Sequence, residues 1–469
     1  MALAPPAGAW PTRGVLDAEE RADLLLDAAR RAARYVANAG ERSVVPTEEA
    51  VAALAGLGPV LPDGPVPPAE VLDRLDRLGS PATIVTNQGR YLGFVTGGTD
   101  PAGHAAATLA GAWDQNAALP VMSPVAAHLD RLAARWTCEL LGLPAGAVAA
   151  FCAGATVANL TGILAGRDAL LHRLGWDVAE RGLAGGPPLR VVTGAEAHTS
   201  VLKALRMAGI GRAAVTFVPT DGCGRVRPAA FPAVDDRTLV VLQAGNVDTG
   251  HSDPFAELLG RVREAGAWAH VDGAFGLWAA AAPDRRHLVA GVEQADSWAT
   301  DGHKWLNAGY DSGIAVCARG EDLTRAFATD AAYLPSEDDR APMHLSVQMS
   351  QRARGVEVWA VYASRGHRGI ADLVEGCCRH AARLAALLAD GGAEVLAPVV
   401  LNQALVAFGD DATTDAVIAA LQVEGTTWAG PTTWHGRRAL RLSVSDAATT
   451  DDDVDRVAAA VLRCHRRAG

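Results

Sequence analysis

From residue 125 to residue 317, helical stretches alternate with short apolar runs of strand length, and this pattern constrains the fold more than any other feature. Residues 125–142 and Ala155–Leu171 carry apolar side chains at helical spacing, as do residues of about 199–208 and 254–265. The short apolar runs are Leu189–Thr193, Ala214–Val218, Thr238–Gln243, Trp268–Val271, Ser297–Thr300 and Gly313–Cys317. Strands that take turns with helices build βαβ units and a mostly parallel α/β sheet. Such sheets bind ligands beyond the carboxyl ends of their strands. The polar residues that end these runs are therefore candidates for a site.

The flanks read differently. Residues 17–37 and 69–78 are expected helices, separated by a Pro/Gly-rich stretch at 56–68, so residues 1–85 are expected to form a helical arm. Residues 86–365 are expected to form a large domain and residues 366–469 a small α/β domain. The latter should hold a long helix at 369–389, strands near 393–397, 403–408 and 438–444, and helices near 413–422 and 451–463.

Composition narrows the function classes. The 469 residues are 49% hydrophobic, enough for a large core. A formal charge of −11, with no block of basic residues, argues against binding a nucleic acid backbone. No charge-free apolar run is long enough to span a bilayer, and MALAPPAGAW has neither a positive start nor an apolar stretch, so a cytoplasmic location is expected. Seven Cys without a CxxC pair read as reduced core thiols, with no disulfide framework and no metal site.

Of the 42 Lys and Arg residues, only Lys203 and Lys304 are Lys. Lys can lose its proton and attack a carbonyl, whereas Arg cannot. Lys203, in VLKALRMAG, reads as an exposed helix-face residue. Lys304, in DGHKW, follows a strand among polar and aromatic neighbours, where a desolvated amine could form a Schiff base. Three other strand ends carry polar groups. Ala155 and Thr156 open a helix after a turn of small residues, a setting that suits a phosphate. His198 follows the strand at 189–193. Asp272 ends a buried run and needs a cationic or N–H partner, or else caps the next segment. An aldehyde cofactor joins all four: Lys for an imine, Asp for a ring nitrogen, His for a ring face and a helix N-terminus for a phosphate. That cofactor is pyridoxal 5′-phosphate.

The stretch WAHVDGAFG…GVEQADSWATDGHKWLNAGYDSG is similar to the HVDAAY…ADS…NPHKW block of the group II pyridoxal-phosphate-dependent amino acid decarboxylases, which include the glutamate and aromatic amino acid decarboxylases. The resemblance spans about residues 80–445. It implies the fold-type I aminotransferase architecture and a homodimer with a shared active site. It also implies that Lys304 carries the cofactor as an internal aldimine, Asp272 pairs with the pyridinium nitrogen, Ala274 packs under the ring and His198 stacks on its other face. Ala155, Thr156 and His303 would serve the phosphate. Phe94, in YLGF, and Asn116, in WDQN, would line the substrate pocket, the second group reaching across the dimer. Two departures stand out. Asp301-Gly302 replaces the family's Asn-Pro, and a carboxylate there would repel a phosphate unless it turned away or paired with an Arg. Gly245-Asn246-Val247 replaces Gly-Thr-Thr, leaving Asn246 as a candidate partner for the cofactor's phenolic oxygen.

The resemblance implies decarboxylation of an L-amino acid to an amine and CO2. In DAAYL, Tyr333 matches a loop Tyr that returns a proton to Cα, where relatives performing oxidative deamination typically carry Phe. The alternatives are decarboxylation-coupled oxidative deamination, transamination and aldol cleavage. Arg441 occupies a plausible place for a transaminase-type carboxylate clamp or for a surface salt bridge. Arg352 and Arg354 could touch phosphate or pair with nearby acids. The polar run Asp114-Gln115-Asn116 leaves the substrate open between aromatic and polar amino acids.

Overall fold

The computed structural model describes residues 16–329 and 340–468. Seven strands form the central sheet: β1 Val148–Cys152, β2 Arg190–Gly194, β3 Val215–Val218, β4 Thr238–Gln243, β5 Trp268–Asp272, β6 Ser297–Asp301 and β7 Gly313–Cys317. Their order is β1-β7-β6-β5-β4-β2-β3. Neighbours pair in parallel except at β7, which runs against both β1 and β6. The mostly parallel α/β sheet expected from the alternation is what forms. β5, β6 and β7 are buried along their whole length, as expected of strands with both faces covered.

A second, antiparallel sheet holds β8 Glu394–Val395, β9 Gln403–Ala407, β10 Gly430–Trp434 and β11 Arg437–Ser443, in the order β10-β11-β9-β8. Residues before the central sheet reach this second one: the Leu92 N–H donates to the Trp428 carbonyl at 2.9 Å, and the Ser443 N–H to the Leu92 carbonyl at 3.0 Å.

Several elements differ from the sequence expectation. β1 and β10 were not anticipated, because VAAFC is Ala-rich and GPTTW contains Gly and Pro, both poor strand signals. The Ala/Gly-rich helix Pro101–Trp113 has little amphipathic signal. The helical segment expected at 369–389 starts at Arg354 and ends at Asp390, with Gly366 at φ 59° breaking it into two.

The arm consists of the helices Ala18–Asn38, Glu48–Ala53 and Pro68–Gly79. Asp17 and Glu20 close a capping box on the first, and Pro68 opens the third. None of the three helices buries a residue, and Leu25 and Leu26 are each half exposed.

Candidate active site

The carboxyl ends of β4, β5 and β6 meet at a cleft of about 410 Å³, within the usual range for small-molecule sites. Lys304, Asp272, His198, Ala155, Thr156, Ala274, His303 and Phe94 all line it. These residues come from separate segments, brought together by the sheet topology.

Lys304 leaves β6 on a tight turn that aims its side chain inward. The turn is locked from below by Asn307, which is fully buried at φ 58°. The Asn307 Nδ2 donates to the carbonyls of Lys304 at 3.0 Å and Ser445 at 2.8 Å, and its Oδ1 accepts from the Ala447 N–H at 2.8 Å. The sequence reading missed Asn307. The sequence offers no signal there beyond the residue type, since Asn tolerates the left-handed backbone found at this position.

Asp272 is buried, and its Oδ1 accepts from the Ala274 N–H at 3.3 Å. Burial pushes its carboxyl up, while His198 and Lys304 pull it back toward the charged form. Behind it, His270 is locked by Ser297 Oγ at 2.8 Å and Asn159 Oδ1 at 2.9 Å, and burial pushes its imidazole down to about 3. His198 caps the helix Thr199–Met207 by accepting from the Ser200 N–H at 3.2 Å, and it stands exposed at the cleft mouth. His303 Nδ1 accepts from the Ser312 N–H at 3.1 Å, which leaves Nε2 facing Asp301 at 3.6 Å. Tyr310 stacks on the His303 ring at 4.2 Å.

Other expectations need correction. Asn246 does not face the cleft. Its Oδ1 accepts from the N–H groups of Asp248 at 2.9 Å and Thr249 at 3.2 Å, so it closes its own turn, and Gln243, Gly245 and Val247 reach the cleft instead. Asn116, expected to reach across a dimer, lines no part of this cleft; its side chain bonds Ser350 Oγ at 3.1 Å and the N–H groups of Ala118 and Gln351. Arg352 and Arg354 both bind Asp311, and Arg352 also binds Glu357, so neither is free for a phosphate. Arg441 is no surface residue: it lines the cleft, with Asp248 Oδ1 at 4.0 Å and its buried Nε without a hydrogen-bond partner. Asp301 neither turns away nor meets an Arg; it faces Lys304 Nζ at 3.2 Å. Lys203 is exposed, as a helix-face residue should be. Tyr333 lies outside the described residues.

Residues 83–409 match the model of the pyridoxal-dependent decarboxylase conserved domain. The chain belongs to that family. It is 28% identical over 306 residues to acidic amino acid decarboxylase GADL1 of Mus musculus, covering 62% of this chain and 55% of that one. It is 28% identical over 354 residues to aromatic-L-amino-acid decarboxylase of Sus scrofa, covering 69% and 71%. The chain thus spans little more than half the length of the GADL1 relative. The crystal structure of Oryza sativa TDC with PLP and tryptamine superposes with a TM-score of 0.88 at 21% identity, over 96% of this chain and 99% of that one. At that identity the likeness shows the fold: the fold-type I α/β architecture is common to both.

The cofactor of this decarboxylase family is pyridoxal 5′-phosphate, and the cleft residues of this chain fit it. The first residues of the helix Ala155–Arg173, Ala155 and Thr156, line the cleft, and its N-cap residue Gly154 offers no capping side chain. A Cβ on Gly154 would stand 3.2 Å from His303 Cε1, so the turn must stay bare for the two to lie this close. A single amine, the two buried carboxylates of Asp272 and Asp301 and the unpartnered Nε of Arg441 share the same cleft.

Proposed function

We propose that the chain decarboxylates an L-amino acid to the corresponding amine and CO2, with pyridoxal 5′-phosphate held covalently by Lys304. The observation that carries this reading is the meeting of Lys304, Asp272 and His198 in one cleft at the end of a parallel sheet. When bound, the cofactor supplies an electron sink for the bonds at the substrate Cα. The protein's part is placement. Asp272, whose carboxyl burial pushes up and His198 and Lys304 pull back down, would pair with a ring nitrogen set against it. His198 at the cleft mouth covers a ring face. Thr156 and His303 serve the phosphate beside the helix start. Phe94, stacked on Trp428 at 4.9 Å, forms an aromatic wall for the substrate. Arg441 offers the substrate a cation.

Tyr333 is assigned the protonation of Cα, on the strength of the DAAYL resemblance. We assign the chain a homodimer with a shared site, supported by exposed apolar residues: Phe94 at the cleft, 61% exposed, and Val121 and Met122 elsewhere on the surface, at 63% and 48%. Asn116 would then serve the partner's cleft.

Borohydride treatment of the holoenzyme tests the core of this reading. Label should appear on the Lys304 peptide and vanish in Lys304→Ala. A wild-type protein without label there refutes the assignment. Incubation with the twenty common amino acids, with and without oxygen, should release CO2 and amine. Tyr333→Phe should keep the cofactor and suppress the amine; peroxide or keto-acid consumption by the wild type would point to another reaction.

A further inference from the structure

Asp301 occupies an unusual position. It ends β6, is 1% exposed, and is fixed through its backbone: its N–H donates to the Ala274 carbonyl at 2.9 Å, and its carbonyl accepts from Trp278 Nε1 at 3.1 Å. Its backbone is therefore held in place, and its side chain is 2% exposed. One carboxylate oxygen accepts from the Ala155 N–H at 2.5 Å. That amide opens the helix Ala155–Arg173, whose own N-cap residue, Gly154, supplies no side-chain acceptor. Asp301 thus caps the helix from a different strand, with its charge at the positive end of the helix dipole. Its second oxygen faces Lys304 Nζ at 3.2 Å.

One carboxylate accordingly holds two groups the cofactor needs: the helix N-terminus that suits a phosphate, and the amine that must meet an aldehyde. Building on the function proposed above, we propose that Asp301 is a positioning residue that competes with the cofactor's phosphate. Before the cofactor binds, it ties the helix start to Lys304. A phosphate at the helix start would take the Ala155 N–H from Asp301 and stand beside its buried carboxylate. Like charges this close, out of bulk water, repel strongly. Asp301 therefore makes cofactor capture weaker, and release easier, than a neutral residue at this position would.

The test uses analogues that cannot form an imine, so that it is independent of the chemistry assigned to Lys304. Full-length protein freed of cofactor is titrated with 4′-deoxypyridoxine 5′-phosphate and with unphosphorylated 4′-deoxypyridoxine. Asp301→Asn should bind the phosphorylated analogue roughly tenfold more tightly, equivalent to about 1.4 kcal/mol, with the unphosphorylated one unchanged. Equal affinities for wild type and variant, weaker binding by the variant, or a gain shared by both analogues would each overturn the proposal. If neither analogue binds the wild type, this proposal and the cofactor assignment fall together. Asp301→Ser carries the same prediction should the Asn variant not fold. A second readout comes from the two lysines of the chain. Reductive methylation of Lys304, scaled to Lys203, should rise in Asp301→Asn because the carboxylate no longer holds the ammonium; an unchanged ratio contradicts the tether.

Discussion

The Asn307 side-chain amide lies 3.0 Å from the Lys304 carbonyl and 2.8 Å from the Ser445 carbonyl, so one buried residue binds the lysine turn to the segment that follows β11. Removing the side chain leaves the buried Ser445 carbonyl without this donor, while the Lys304 carbonyl keeps the Asn307 N–H at 3.2 Å. Asn307→Ala should destabilise the protein by about 1–3 kcal/mol and lower cofactor occupancy. Ala is also strained at φ 58°, so Asn307→Gly separates the two effects. Urea denaturation reads both variants. A Gly variant as stable as the wild type would show that these hydrogen bonds contribute nothing.

Gly97 presses on the same turn from the other side. A Cβ there would run into the Lys304 carbonyl oxygen and stand 2.8 Å from Asn307 Nδ2. Backbone cannot swing aside as the tip of a long side chain can. Gly97→Ala should thus keep its far-ultraviolet circular dichroism and lose most of its cofactor absorbance. Gly111→Ala is the matched control: nothing lies within 4 Å of its new methyl, and it sits in a helix. It should be neutral or more stable by about 0.5–1 kcal/mol. Normal cofactor loading in Gly97→Ala would contradict the close-packing argument.

His270 gives the protein an acid-sensitive core. Its imidazole titrates near 3 when folded, against an ordinary value of 6.5. Below pH 6.5 the unfolded chain takes up a proton that the folded one refuses. Stability from this residue therefore falls as pH drops through that window, by at most about 1.4 kcal/mol per pH unit. The buried carboxyls of Asp253 and Asp446, both raised to about 6, act in the opposite sense between about pH 4 and 6. Comparing wild type with His270→Gln cancels them. The variant should be the less stable at pH 8, and the gap should narrow below pH 6.5. A constant gap in melts from pH 4 to pH 8 would contradict a neutral, buried His270.

The sheet was legible in the sequence because its strands are short apolar runs with helices between them, and the boundaries of β4 and β7 coincide with the expected ones. Lys304, Asp272 and His198 were legible because polar residues at the ends of such strands must face a cleft. Three things were hidden. Asn246 looks like a ligand in one dimension, but Asn side chains readily bond the backbone two and three residues on. Arg441 was legible as a candidate clamp, but the choice between clamp and surface salt bridge was not, because the approach of β11 to the cleft is a tertiary fact. The double role of Asp301 depends on β6 ending beside the start of a helix 146 residues earlier.

The arm helices have a consequence for the chain as a molecule in a cell. Leu25, Leu26 and Leu75 are each at least half exposed on helices that bury nothing. Whatever surface covers that oily stripe, losing it leaves segments held by little beyond their own caps and ion pairs. Should the proposed homodimer supply that cover, dilution would turn the arm into protease bait, and the lifetime of a copy would depend on its abundance.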